Sequence, residues 1–215
     1  LAERVFTPWI DMIAEMRIAN VPLFSLETRH SLKEFDIIGF SLGHEMTFTN
    51  ILEMLNLAQI PVLAAERNEL HPLIIAGGTC VLNPEPLADF IDLFVIGDGE
   101  EVIVELLGKF KAAKSNGFSR QQLLRQLASI EGIYVPQLYS VVYNTDGTMK
   151  NLRPNVPEAP PVIQRRIVST LPPPPAKPVM PYIEVVHDRA GIEIMRGCSR
   201  GCRFFYSTEP TLTAR

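Results

Sequence analysis

The chain has 215 residues, 47 % of them hydrophobic and 20 % charged, a balance that supports a packed core and excludes an intrinsically disordered protein. Twenty basic and 24 acidic side chains leave a net charge of −4 and give no clear nucleic-acid signal. No apolar run reaches the roughly 18 residues of a membrane span, and no signal peptide opens the chain. Three cysteines are too few for a disulfide framework, which points to a reducing, cytoplasmic setting.

The length suits one ordinary domain plus a remainder, or two small ones. Arg4 to Phe6 reads as a short strand already under way at Leu1, so the expectation is a piece of a longer protein. Asp11 to Asn20 reads as a helix with Met12, Ile13 and Met16 on one face, stopped near Pro22. Asp36 to Ser41 is a compact buried strand. Asn50 and Glu53 offer a capping box to a helix carrying Ile51, Met54, Leu55 and Ala58, ended by Pro61.

The pattern repeats. Pro72 to Ala76 is a strand running into Gly77-Gly78, and Leu93 to Ile96 is another, running into Gly97-Asp98-Gly99. Asp98 and Glu101 are placed to cap a helix whose inner face is Ile103, Leu106, Leu107 and Phe110. Ser119 and Gln122 form a further capping box for a helix bearing Leu123, Leu124 and Leu127, with Gly132 beyond its end. Near-continuous apolar strands alternating with helices predict an open α/β fold, a mainly parallel sheet with helices on both faces.

After Gly132 the texture changes. Tyr134 to Tyr143, the turn Asn144-Thr145-Asp146-Gly147, and Met149 to Leu152 read as a hairpin. Ten of the 18 prolines fall between Pro154 and Pro181, a composition that favours extended polyproline II and reads as a semi-rigid linker. Ile192 to Met195 is a new strand that leads directly into Arg196-Gly197-Cys198-Ser199-Arg200-Gly201-Cys202.

That cysteine pair is the sharpest chemical feature. Two cysteines four apart on a glycine-rich loop, beside Arg196, Arg200 and Arg203, sit where thiolate is favoured over thiol, and thiolate is the species that ligates metal. Spacing alone leaves three readings open: metal or cluster ligation, half of a zinc site, or two unrelated thiols.

The run Arg196-Gly197-Cys198-Ser199-Arg200-Gly201-Cys202-Arg203-Phe204 resembles the CxxxCxxC cluster loop of radical S-adenosylmethionine (SAM) enzymes. More narrowly, the chain resembles members of that family with a cobalamin-binding-type domain before the catalytic barrel. The resemblance extends through Ala2-Glu3-Arg4-Val5-Phe6 with Pro8-Trp9, Pro22 to Thr28, Glu34-Phe35-Asp36, Asn83 to Phe90 and Val95 to Glu101. It implies a Rossmann-like domain of cobalamin-binding type over 1–131, a β-hairpin over 132–153, a proline-rich linker over 154–182, and the first strand of a truncated barrel in 183–215. It also implies that the family's opening strand lies before Leu1, which leaves one sheet position unfilled.

In such enzymes three thiolates hold a four-iron four-sulfur cluster, and the open iron binds SAM, which is cleaved reductively to a 5′-deoxyadenosyl radical. Carried over, Cys198 and Cys202 are the first two ligands. Position 205, which the pattern reserves for cysteine, is Phe205, and a phenyl ring cannot ligate iron. A full barrel takes roughly 200 residues or more. The resemblance therefore implies a fragment of a radical SAM enzyme that does not itself perform the chemistry. Its substrate is not encoded in these residues, and methylation, methylthiolation and rearrangement are all compatible. A non-catalytic module for cobalamin or another nucleotide-like ligand, and a structural domain that binds neither, are the alternatives.

The glycine turns supply the remaining candidates. Gly77, Gly78 and Thr79, then Gly97, Asp98, Gly99 and Glu100, each follow a strand at its carboxyl end, where open α/β sheets bind ligands; Ser41 is similarly placed. The resemblance implies a cobalamin nucleotide tail there, and ordinary turn and capping chemistry is the competing reading. His44 follows the right kind of strand for a cobalt ligand but lacks the Asp-x-His-x-x-Gly motif. Asn83-Pro84-Glu85-Pro86 reads as a loop-shaping segment, with Pro86 suited to the first turn of a short helix, and Cys80 as a small core hydrophobe.

Overall fold

The computed structural model describes residues 1–170 together with 172, 173, 193, 195, 196, 213 and 214. The chain divides into two compact units, Leu1–Arg166 and Ile167–Arg215.

The first unit is built on a four-stranded sheet in the order β1 (Ile37–Ser41), β2 (Leu73–Gly77), β3 (Leu93–Val95), β4 (Ile133–Tyr134). The first three strands are parallel and β4 is antiparallel to β3, so the sheet is mainly parallel, as expected. Alternation along each strand sends side chains to opposite faces. Ile38, Ile74, Ala76, Phe94 and Tyr134 enter one core with Met16 of α1 (Ile10–Ile18) and Ile51, Met54 and Leu55 of α2 (Phe48–Leu57). Leu73, Ile75, Leu93, Val95 and Ile133 enter the other, with Val102 and Leu106 of α3 (Gly99–Ser115) and Leu124 and Leu127 of α4 (Arg120–Ala128). Helices therefore cover both faces.

Local chemistry explains most boundaries. The Ser119 capping box forms: Gln122 N–H donates to Ser119 Oγ at 3.3 Å, and Ser119 N–H to Gln122 Oε1 at 2.9 Å. Asn20 ends α1 with a left-handed φ of 52°. The hairpin forms as β5 (Tyr139–Tyr143) and β6 (Met149–Pro154), with Gly147 at φ 83° in its turn, while Tyr134 belongs to the main sheet. The short helix Glu85–Leu87 starts on Pro84 and Pro86, as the spacing of the prolines suggests.

Four local expectations are corrected. Arg4–Phe6 is not a strand: Arg4 N–H donates to the Glu27 carboxylate at 2.7 Å and Leu26 N–H donates to Arg4 C=O at 2.9 Å, which ties this arm to the turn around Thr28. Asn50 does not start α2, because a 3-10 turn over Glu45–Thr47, capped by His44, feeds the helix from three residues earlier. Glu53 is instead bonded to Arg17 at 2.6 Å. Leu107 is 49 % exposed and Met12 46 %, so these two leave the inner faces of α3 and α1, which keep Leu106 with Ile103 and Phe110, and Met16 with Ile13, while Val102 joins the core of α3.

β1 is an edge strand. Leu73 N–H donates to Asp36 C=O and Leu42 N–H to Gly77 C=O, so even-numbered backbone groups face β2 and those of Ile37, Gly39 and Ser41 face outward. Among the described residues no strand pairs with that outer edge. Two cavities of about 340 and 310 Å³ separate it from Val5 and Phe6. In the second unit, Met195–Arg196 and Thr213–Ala214 form a short antiparallel ladder, and Arg196 is paired with Glu193 at 2.7 Å.

Candidate functional site

The parallel strands bring their carboxyl ends to one side of the sheet. Ser41 and Gly77 are partners in register, and Gly97 lies two residues beyond the end of β3. Ser41, the Gly77–Thr79 turn and the Gly97–Glu100 turn thus share that end, as their positions in sequence suggested. Two loops are laced together there: Leu42 N–H donates to Gly77 C=O at 2.7 Å, Cys80 N–H to Leu42 C=O at 3.1 Å, and Thr79 Oγ1 to Gly43 C=O at 3.3 Å. Cys80 is half-buried against the first core.

The glycines divide into two kinds. Gly78 has φ 110°, and a Cβ there would stand 2.7 Å from Leu42 O; the close backbone approach is made by this chain's own loop. Gly97 also has φ 110°, and a Cβ there would stand 2.7 Å from Arg166 N. Gly77 is in ordinary contact with Val95, while Gly43 and Gly99 have nothing within 4 Å of a Cβ. Open space therefore lies beside Gly43 and Gly99.

The cavity of about 310 Å³ beside Ser41 is lined by neutral side chains only, with the hydroxyls of Thr7, Ser41 and Thr47 and the Asn50 amide as its polar groups. Such a lining hydrogen-bonds an uncharged polar group and offers no cation to a phosphate. At the start of α3, Asp98 holds the N-cap position without a side-chain cap bond, and Glu100 and Glu101 stand in the first turn. Three acids at a helix amino terminus complement its dipole themselves and oppose a phosphate there. The expected Asp98–Glu101 capping box does not form, because Glu101 accepts from Arg166 at 2.9 Å. His44 Nδ1 accepts from Met46 N–H at 3.2 Å, which commits that nitrogen to capping.

Two clusters had no signature in sequence. At the amino end of the sheet, Asp92 is fully buried and accepts from Arg120 Nη2 at 2.6 Å, Ile74 N–H at 2.7 Å and Arg67 Nη2 at 3.4 Å. Arg67 also donates to Phe90 C=O and Pro61 C=O; burial pulls its guanidinium down and the Asp92 charge holds it up. On the first core, Tyr134 is 3 % exposed and donates to Glu85 Oε1 at 2.6 Å. Burial first, then that bond, pushes its phenol up, and the Glu85 of the proline-framed loop is thereby fastened to β4.

Among the described residues no group of three or more His, Cys, Asp or Glu is placed to hold a metal ion. Cys198, Cys202 and Phe205 lie outside the described residues, so the donor set is judged from its chemistry: two thiols and a phenyl ring. Among the described residues no helix is long and apolar enough to cross a membrane.

Fold and site together define a mixed α/β domain whose small, glycine-lined turns meet at one end of a mainly parallel sheet. Residues 1–136 match the family described as radical SAM proteins, N-terminal, and the chain belongs to that family. It is also similar to an uncharacterized protein of Methanocaldococcus jannaschii, 27 % identical over 100 residues that make up 45 % of this chain and 21 % of that protein. The chain thus spans about a fifth of that relative's length. No solved structure matches it.

Proposed function

We propose that this chain is the N-terminal part of a radical SAM iron–sulfur enzyme whose full-length form binds a four-iron four-sulfur cluster and SAM. The observation that carries the reading is the family match over residues 1–136, followed in the same chain by Cys198 and Cys202 at cluster-loop spacing. The cluster, when bound, supplies the electron that cleaves SAM to a 5′-deoxyadenosyl radical. Cys198 and Cys202 are its first two ligands. Two thiolates leave the cluster short of the three anchors it needs, and Phe205 supplies none, so the chain with Phe205 does not carry the reaction.

In this reading residues 1–131 are a cobalamin-binding-type domain, 132–153 its hairpin extension, 154–182 a linker, and 183–215 the start of the barrel. The outward-facing edge of β1 and its two flanking cavities are where the family's opening strand would lie. Ser41, Gly77, Gly78, Thr79, Gly97, Asp98, Gly99 and Glu100 form the proposed cofactor end. Ser41 and the neutral cavity beside it, with Gly43 and Gly99, take the uncharged part of a nucleotide-like tail. Gly78 and Gly97 shape the loops. The protein works in a reducing cytoplasm, which suits both free thiols and an iron–sulfur cluster.

The test is to read the parent gene from the codon for Gly197 to its natural stop, then reconstitute the full-length protein anaerobically. Cysteine at position 205, about four irons per chain and release of 5′-deoxyadenosine support the reading. Phe205 in the gene, with no cluster after reconstitution, removes it.

A further inference from the structure

The carboxyl end of β3 already has an occupant. Arg166 N–H donates to Ile96 C=O and Asp98 N–H donates to Arg166 C=O, both at 2.9 Å, so Arg166 pairs with Gly97 as one residue of a parallel strand. It does so where β4 has ended, beyond Gly132, whose C=O accepts from Ile96 N–H at 2.7 Å. Two glycines make the slot. A Cβ on Gly97 would meet Arg166 N at 2.7 Å, and a Cβ on Gly132 would meet Arg166 Cβ at 2.9 Å; both glycines have positive φ, 110° and 87°. The guanidinium, 16 % exposed, reaches Glu105 at 2.6 Å, Glu101 at 2.9 Å and Glu131 at 3.8 Å.

Backbone fit, glycine spacing and three glutamates thus converge on one arginine from a segment that is otherwise irregular. Its end is held by one residue of ladder and one charged head, and upstream Ile163 packs on the first core and Pro160 C=O accepts from Tyr139 Oη at 2.8 Å, whereas the strands beneath are held by two apolar cores. We propose that the segment ending at Arg166 is a strap, latched into the Gly97–Gly132 slot, that opens separately from the sheet and shields the Gly97–Gly99 turn while closed. The strap stands on its own geometry. Its consequence for binding rests on the carboxyl end being the cofactor end: a ligand that approaches Gly97 closely must lift Arg166 first.

Three amides report it directly. Those of Asp98 and Arg166 are protected by the strap, and that of Ile96 by the sheet. Native-state hydrogen exchange on the 215-residue chain, followed by NMR, separates them. The strap predicts that raising NaCl to about 0.5 M, where the screening length falls to a few ångströms, speeds exchange at Asp98 and Arg166 several-fold and leaves Ile96 unchanged. Arg166→Ala is expected to speed Asp98 by about tenfold with Ile96 unmoved, since it removes the charged head of a local opening. Gly97→Ala, which blocks the slot without touching a charge, does the same. Equal rates at Asp98 and Ile96, moving together with salt and in both variants, would show one cooperative sheet and overturn the strap.

Hydroxocobalamin is the probe for the second part. Tighter binding by Arg166→Ala than by the unaltered chain supports shielding. Equal or weaker binding by the variant overturns it. No binding by either form, with the strap amides still separable, leaves the strap standing and removes the cobalamin reading.

Discussion

The two ends of the sheet are built on opposite principles. At the amino end, Asp92 lies at zero exposure between Arg67 and Arg120, and most guanidinium donors reach a carbonyl or the carboxylate. The cavity of about 240 Å³ there holds the Lys114–Asp36 ion pair, and its Glu69 carboxylate accepts from the Arg120 backbone N–H. At the carboxyl end the walls around Ser41 and Gly77–Thr79 are glycines, hydroxyls and backbone, several of them open to solvent, and the charges of the Gly97–Glu100 turn lie at the surface with Arg166. Buried charge tolerates no rearrangement, because an unpaired ion costs several kcal/mol; small neutral residues permit it. The amino end is where this domain is locked, and the carboxyl end is where its loops have open space beside them.

That contrast can be broken most forcefully at Asp92. Asp92→Ala leaves two arginines without their counter-ion, one of them wholly buried, and is expected to cost about 3–5 kcal/mol in urea denaturation. A cost below about 1 kcal/mol would show that water reaches the cluster and that the lock is not there.

Glycines sharpen the other side. Gly78→Ala forces a Cβ against the Leu42 backbone at a left-handed φ and is expected to lose about 2 kcal/mol. Gly99→Ala, with open space around it at the start of α3, is expected to be neutral or to gain up to about 1 kcal/mol. If the two variants melt alike, the division of the glycines into packed and open kinds is wrong.

The Tyr134 prediction is smaller. Removing its bond to Glu85 with Tyr134→Phe should cost about 1 kcal/mol at neutral pH. Because its phenol is pushed above the ordinary 10.0, the folded form stays protonated where the unfolded form ionises. Its stabilisation is full below pH 10 and declines as pH rises beyond it, and the variant should flatten that alkaline decline in the urea midpoint.

The smallest effect belongs to His71. Burial, then Arg120, Arg67 and Lys33, hold its imidazole below 6.5. Its contribution is therefore present above pH 6.5 and lost as pH falls through that region. A shallow acid-side drop in the urea midpoint should vanish in His71→Gln.

Much of this architecture was legible because it is local. The apolar runs at Ile37, Leu73 and Leu93, the Ser119 box and the Asn144–Gly147 turn each carry their cause within a few residues. The failures are those in which a distant partner decided the outcome. Glu27 claimed the Arg4 amide, Arg166 claimed Glu101, and Arg17 claimed Glu53, so a strand and two capping boxes read from neighbouring residues did not form. The Asp92 cluster joins residues 25 and 28 positions apart, which no periodicity marks. Of the candidate site, the clustering of Ser41, Gly77–Thr79 and Gly97–Glu100 at one end followed from strand polarity alone. The separate duties of Gly78 and Gly97 did not, since they depend on where Leu42 and Arg166 pass.

The most direct test of the carboxyl end as the binding end is amide chemical-shift mapping of the chain titrated with hydroxocobalamin. The account predicts perturbations at Ser41 to Gly43, at Thr79 and at Gly97 to Glu100, with His71, Asp92 and Arg120 unmoved. Perturbations confined to the amino end, or none at saturating ligand, would contradict it.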